Sequence, residues 1–281
     1  MKITFFSIGD WGYPGYQQNI VSNQMLNQYK IYKPSFVIAL GDNFYERGVS
    51  GVDDEKWINV FEDIYKLPCK WYAILGNHDY LQNPCAQIDY YKKGLSQRWI
   101  MEDKYYTKFF PLKNSKMLQI IFLDTVTLAP ITSSNFIPYD FETDIIAQGE
   151  IQKIWLESTL KHSSATWKIV VGHYPILSGG EHGNTPELVN YLKPLLEKYK
   201  VSTYISGHDH SLQVIKNNNV VYLVNGVGSK IGQVQNTNET EFSRAISGFM
   251  IHEVIDNQLT HNIIDHEGNI LHKIVINSQV R

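Results

Sequence analysis

Residues that bind metal ions recur at fixed places along this chain. They are Asp10 in "GDWG", Asp42 and Tyr45 in "GDNFYERG", Asn77, His78 and Asp79 in "GNHDY", Asp124 in "FLDT", His173 in "GHYP", and His208, Asp209 and His210 in "GHDH". Carboxylate, amide and phenol oxygens mixed with imidazole nitrogens suit divalent and trivalent transition metals. Taken singly, each has a plainer reading. Asp10 and Asp42 fit helix caps or Asx-turns, "GNHD" fits a turn, and a lone His173 fits a satisfied core histidine. The pair in "GHDH" resists that reading, because two imidazoles two residues apart at a strand end converge with other loops. Aspartates and histidines gathered at separate strand ends point to a metal centre.

The elements that must position them follow from the apolar runs. "ITFFSIGD", "FVIALGD", "WYAILGN", "QIIFLDT", "WKIVVGH" and "VSTYISGH" each read as a buried strand ending in polar residues. Between several of them, "QNIVSNQMLNQYK", "DDEKWINVFEDIY", "EIQKIWLESTLKHS" and "TPELVNYLKPLLEKY" carry apolar residues at helical spacing. After residue 210 the helices stop and hairpins are expected, including an Asn-rich turn at 217–219. Two packed sheets with helices outside are therefore expected. Ligands in such α/β folds bind beyond the carboxyl ends of the strands, where the metal-binding residues stand. The segments 81–117 and 126–148 read as long loops inserted near the site.

Length and composition fit one domain over residues 1–281 with a large core, at 43% hydrophobic and 19% charged residues. A net charge of −3 without a basic block excludes an electrostatic footprint for nucleic acid or an anionic membrane. No run is long and apolar enough to span a bilayer. Read literally, the start leaves no room for a signal peptide before the motif at Gly9, and an intracellular setting is expected. A chain trimmed of its leader reads the same way. Cys69 and Cys85 are too few for a disulfide framework, show no CxxC zinc spacing, and are left as either free thiols or one bridge.

In order, the blocks "GDWG", "GDNFYERG", "GNHDY", "GHYP" and "GHDH", with "EHG" at 181–183, resemble the purple acid phosphatases of the small, tartrate-resistant type, within the calcineurin-like metallophosphoesterases. The resemblance spans residues 9 to about 230. It implies a four-layer α/β sandwich, two mixed sheets packed together and flanked by helices. It also implies that a ferric ion takes Asp10, Tyr45, His210 and one oxygen of Asp42, and that a divalent ion takes Asn77, His173, His208 and the other oxygen of Asp42. His78 and His182 would face the substrate as acid-base candidates. In metallophosphoesterases at large the first block is usually "DxH"; here Gly12 replaces that histidine and Tyr45 stands three residues after Asp42.

Charge counting agrees with that swap. A phenol of pKa near 10 must lose its proton to serve as an anionic ligand, and a trivalent hard cation makes that easy. Asp10, Asp42 and Tyr45, all ionised, bring three negative charges; a trivalent and a divalent ion leave two positive charges, and a bound hydroxide leaves one. A pair of divalent ions with hydroxide leaves none, so the mixed pair attracts a phosphate dianion better. Fe(III) with Fe(II), Zn or Mn is the expected cofactor, and a metal-held hydroxide the expected nucleophile of phosphate monoester hydrolysis. Asp79 and Asp209 are expected to orient a histidine or close a turn, and Asp124 to be structural. The expected partners are small-molecule or phosphoprotein monoesters, and the chain is expected to act as a monomer. Two rivals stand beside this reading: an Mn/Zn phosphoesterase acting on diesters or nucleotides, and a non-catalytic scaffold. The family is usually secreted, lysosomal or periplasmic, against the literal reading of the N-terminus.

Overall fold

Strand β1 (Lys2–Ile8) is buried at every residue after Lys2, as a strand covered on both faces must be. It opens a computed structural model that describes residues 2–130 and 142–278. After it come α1 (Tyr16–Tyr32), β2 (Phe36–Ala39), β3 (Lys70–Ala73), α2 (Cys85–Lys92) and β4 (Trp99–Ile100). The middle of the chain forms β5 (Tyr106–Pro111), β6 (Met117–Phe122), α3 (Thr125–Leu128), α4 (Glu142–Lys161), β7 (Trp167–Val171), α5 (Pro186–Lys198) and β8 (Thr203–Ser206). Strands then follow one another: β9 (Leu212–Asn217), β10 (Val220–Asn225), β11 (Thr240–Arg244), β12 (Gly248–Ile255), β13 (Gln258–Asp265) and β14 (Ile270–Asn277).

They form two mixed seven-stranded sheets, ordered β14-β13-β12-β1-β2-β3-β4 and β11-β9-β10-β8-β7-β6-β5. Within the first, β1 to β4 run parallel; within the second, β6, β7, β8 and β10 do. The alternation of side chains along each strand divides the core. Phe5, Phe36, Ile38, Ile120, Ile169, Ile205, Leu223 and Met250 fill the space between the sheets. Phe6, Ile8, Val37, Val170 and Ile251 belong to the other buried cluster, with Val21 and Met25 of α1 and the leucines of α5. In α5, Thr185 stands in extended backbone before Pro186 at the first helical position, and Leu188, Leu192, Leu195 and Leu196 form the buried stripe.

The expected double-sheet architecture is present, with two corrections. Residues 81–117 are not a long loop: they hold α2, β4 and β5. "DDEKWINVFEDIY" forms a π-helical turn, Trp57–Glu62, rather than an α-helix. Of the other expected loop, α3 and the start of α4 occupy the ends, and 131–141 lie outside the described residues. Cys69 and Cys85 are both free thiols, and burial pushes the Cys69 thiol up to about 12. Among the described residues, no helix is long and apolar enough to cross a membrane.

Candidate metal centre

The parallel strands of both sheets send their carboxyl ends to one place. β1 delivers Asp10, β2 delivers Asp42 and Tyr45, β3 delivers Asn77 and His78, β7 delivers His173, and β8 delivers His208 and His210. Asp10, Asp42 and His208 have left-handed backbone, with φ of 55°, 50° and 67°. For residues with a Cβ this conformation is uncommon and strained, and it clusters at functional sites.

Close backbone contacts crowd these turns into register. A Cβ on Gly76 would lie 2.2 Å from Asp42 Oδ1, so only glycine lets the β3 loop pass that carboxylate. At Gly12 the obstacle is the chain itself: a Cβ would lie 2.0 Å from the carbonyl oxygen of Asn43. The Gly12 carbonyl accepts the Tyr45 N–H at 3.2 Å, so this contact carries Tyr45 into the site. Trp11 backs the same loop, donating from Nε1 to Asn43 Oδ1 at 3.0 Å within an aromatic cluster of Phe44, Phe61, Tyr65, Trp71 and Trp99.

All nine candidate residues are brought together. The Tyr45 hydroxyl stands 3.0 Å from Asp10 Oδ1, 2.8 Å from Asp42 Oδ2 and 3.5 Å from His210 Nε2. His210 Nε2 is 3.4 Å from Asp10 Oδ1. On the other side of Asp42, His173 Nε2 stands 3.4 Å from Oδ1 and 3.0 Å from Asn77 Oδ1. The two oxygens of Asp42 are thus divided between a tyrosine-bearing group and an amide-bearing one. His208 meets His173 edge-on, ring centroids 5.1 Å apart, and stacks on His182 at 4.1 Å. His78 donates its backbone N–H to Asp42 Oδ1 at 2.9 Å, and its ring packs 4.5 Å from that of Tyr45.

The donor set fits cations. One hydroxyl hydrogen cannot satisfy two carboxylates at once, and burial, then Asp10 and Asp42, hold the Tyr45 phenol well above its ordinary pKa. Only a positive charge placed among these three oxygens reverses that. His173 tells the same story. Its Nδ1–H donates to the Leu40 carbonyl at 2.9 Å, which aims the Nε2 lone pair at the oxygens of Asn77 and Asp42. Burial pulls this imidazole down, but Asp42 and Asp10 more than offset it and raise it overall. His208, by contrast, is held neutral by burial and by the surrounding histidines, the form that ligates. Among the described residues, Asp10, Asp42 and His173 each bring a ligand atom within 4.8 Å of the others.

The remaining aspartates hold the frame. Asp79, fully buried, accepts from the backbone N–H groups of Asn43 (3.1 Å) and Gly76 (2.8 Å) and from Gln87 Nε2 (2.8 Å), tying the β2 and β3 loops together. Burial, then Asp42, raises its carboxyl to about 7. Asp209 accepts from the His182 N–H at 2.9 Å and from the Ser178 hydroxyl, fixing the segment that carries His182. Asp124 caps α3 and takes the Tyr80 hydroxyl; burial raises it to about 6.

Sequence reasoning missed one edge of the site. β10 pairs parallel to β8, so its carboxyl end also reaches the centre. There the Ser229 hydroxyl donates to the Asp10 carbonyl and accepts the Tyr13 N–H at 3.0 Å, and Lys230 lies over Tyr45. The "NGVGSK" that follows an apparent hairpin strand is the only trace of this in the sequence.

Comparison with known proteins agrees with the geometry. The pattern of the calcineurin-like phosphoesterases matches residues 3–212. Purple acid phosphatase 7 of Arabidopsis thaliana is 35% identical over 97% of this chain and 85% of its own length. Human tartrate-resistant acid phosphatase type 5 is 33% identical over 96% and 90%. Among solved structures, GAP50, described as the anchor in the inner membrane complex of Plasmodium, superposes with a TM-score of 0.87 at 29% identity, covering 100% of this chain and 90% of that one.

Proposed function

Since the chain belongs to the purple acid phosphatases, phosphoric monoester hydrolases within the calcineurin-like phosphoesterases, we propose that it hydrolyses phosphate monoesters at a ferric and a divalent ion. Asp10, Tyr45, His210 and Asp42 would hold the first; Asn77, His173, His208 and Asp42 the second. The observation that carries this reading is the Tyr45 hydroxyl set between the Asp10 and Asp42 carboxylates. A bound pair of such ions supplies charge for the phosphoryl oxygens and activates water at neutral pH.

The chain's own residues do the rest. Asp42 would offer one carboxylate oxygen to each position. His173, held by the Leu40 carbonyl, and His208, packed edge-on against it, present fixed imidazoles with little reorganisation on binding. His78 is anchored from Nδ1 to the Glu46 carbonyl at 2.6 Å, which directs Nε2 toward the mouth of the site beside Asp42. His182, exposed and stacked on His208, would give a proton to the departing alkoxide. Replacing His182 with alanine is expected to slow alkyl phosphates roughly 10-fold more than an aryl phosphate with a good leaving group. Equal losses across leaving groups would point to binding instead.

The test is metal analysis with a visible spectrum, beside a panel of monoesters, diesters and nucleotides across pH. Two ions per chain, a purple band in the oxidised protein and preference for monoesters are expected. A colourless, metal-replete enzyme favouring diesters would replace this reading with the Mn/Zn one. The likeness to GAP50 supplies a second reading, a scaffold, which predicts neither stoichiometric metal nor hydrolysis.

A further inference from the structure

Lys230 is a cation that the ligand set does not use. Its Nζ stands 4.0 Å from the centroid of the Tyr45 ring and 4.6 Å from that of Tyr13, within cation–π reach of both. Glu46 Oε1, 3.6 Å away, holds it from the solvent side. Its neighbour Ser229 is tied to the Asp10 carbonyl and to the Tyr13 N–H, so the loop carrying Lys230 is fixed to the end of β1. Tyr13 also packs edge-on against Tyr45, with ring centroids 6.0 Å apart. The ammonium group therefore rests against the face of the one ligand whose electrons give a ferric phenolate its colour.

Resting on the ferric reading above, we infer that Lys230 tunes Tyr45 as a ligand, its charge drawing the phenolate electrons back toward the ring. The physical argument is Coulombic. Charge transfer from phenolate to iron moves an electron away from the ring that Lys230 faces, so the nearby cation raises the energy of that transition. The same field weakens donation to iron and favours the reduced state of that ion. Glu46 partly cancels it. Lys230 here is a positioning residue that acts through Tyr45; it makes no contact with the reacting atoms.

The experiment is the visible spectrum of the oxidised, iron-loaded protein and of three variants, with circular dichroism as the check on folding. Lys230→Met is expected to move the band to longer wavelength by on the order of 10 to 50 nm, the shift set by removing one charge at this range in a partly buried site. Lys230→Arg is expected to leave it within a few nanometres, roughly a tenth of that shift. Glu46→Gln, which leaves the cation less compensated, is expected to move it the opposite way. In a reductive titration, Lys230→Met is expected to be harder to reduce than the parent. A band present in the parent and unmoved in Lys230→Met overturns the inference and leaves the ferric reading intact. No band in the parent overturns both. Should Lys230→Met fail to fold, the Glu46→Gln spectrum decides, since an unmoved band there also counts against the tuning.

Discussion

Alanine at Asp42 is expected to lower hydrolysis of an aryl phosphate by at least about 1000-fold, beyond the 10- to 100-fold that loss of a residue behind a metal ligand costs. Metal content is expected to fall from two ions to one or none. The reason lies in how the carboxylate is shared. Oδ2 faces Tyr45 at 2.8 Å and Oδ1 faces His173 at 3.4 Å, so one truncation removes an anionic ligand from both groups. Oδ1 also accepts the His78 N–H, and its loss frees the segment that carries Asn77 and His78. Asparagine at the same position keeps the shape and removes the charge; it is expected to be nearly as inactive. Atomic absorption on dialysed protein and a standard rate assay check both, and near-parental activity in Asp42→Ala would remove the bridging role.

The second large effect is on stability in acid, and it arises from two histidines outside the ligand set. Between the sheets, Asn225 Nδ2 donates to Ser7 Oγ, which meets His252 Nε2 at 2.8 Å. His252 Nδ1 meets His261 Nδ1 at 2.6 Å, and His261 Nε2 meets Thr203 Oγ1 at 3.0 Å. One assignment of protons satisfies the whole chain: Asn225 to Ser7, Ser7 to His252, His252 to His261, His261 to Thr203. An added proton breaks a link of it. Burial, then His261, holds His252 well below its ordinary value, and burial lowers His261 to about 3.

Folded-state values this low mean that the unfolded chain takes up protons below about 6.5 while the folded chain does not, so stability falls as pH drops from there toward 3. Each histidine costs about 2 kcal/mol between pH 7 and pH 5, roughly 4 for the pair. Asp79 works the other way in the metal-free protein. Its folded-state value is raised to about 7, so it is protonated in the fold first and gains stability as pH falls. The clean measurement is therefore a difference. Urea unfolding of metal-free parent and of His252→Gln/His261→Gln at pH 7 and pH 5 is expected to show the parent losing about 4 kcal/mol more than the variant. Equal losses would mean that the pair takes up protons in the fold.

What could be read from sequence followed from how strongly each element punctuates the chain. The candidate ligands were legible because each stands just beyond a β-branched run, where the strand must end and the polar residue is exposed to its neighbours. Asp79 and Asp209 were legible as residues that orient a histidine or close a turn, but the groups they hold were not. Their work, binding the β2 loop to the β3 loop and fixing the His182 segment, depends on contacts between residues far apart in sequence. Lys230 was marked only by the "NGVGSK" after an apparent hairpin strand. β10 looks like the second arm of a hairpin with β9, which it is, and its parallel pairing with β8 leaves no local mark. In 81–117, a helix of eight residues and a strand of two fall below the length at which periodicity speaks. His252 and His261 pass for ordinary strand residues until two sheets are laid face to face.

The close passage of residues 43–45 over Gly12 bears on how such a site changes across lineages. A histidine at position 12, as in the wider phosphoesterases, needs space that the backbone of this chain already fills, and the same backbone is what delivers Tyr45. Any side chain at position 12 therefore has to displace residues 43 and 44, and with them the loop that carries Tyr45 into the site. Exchanging this kind of centre for one with a histidine at position 12 thus requires the loop to be redrawn as well as the ligand changed.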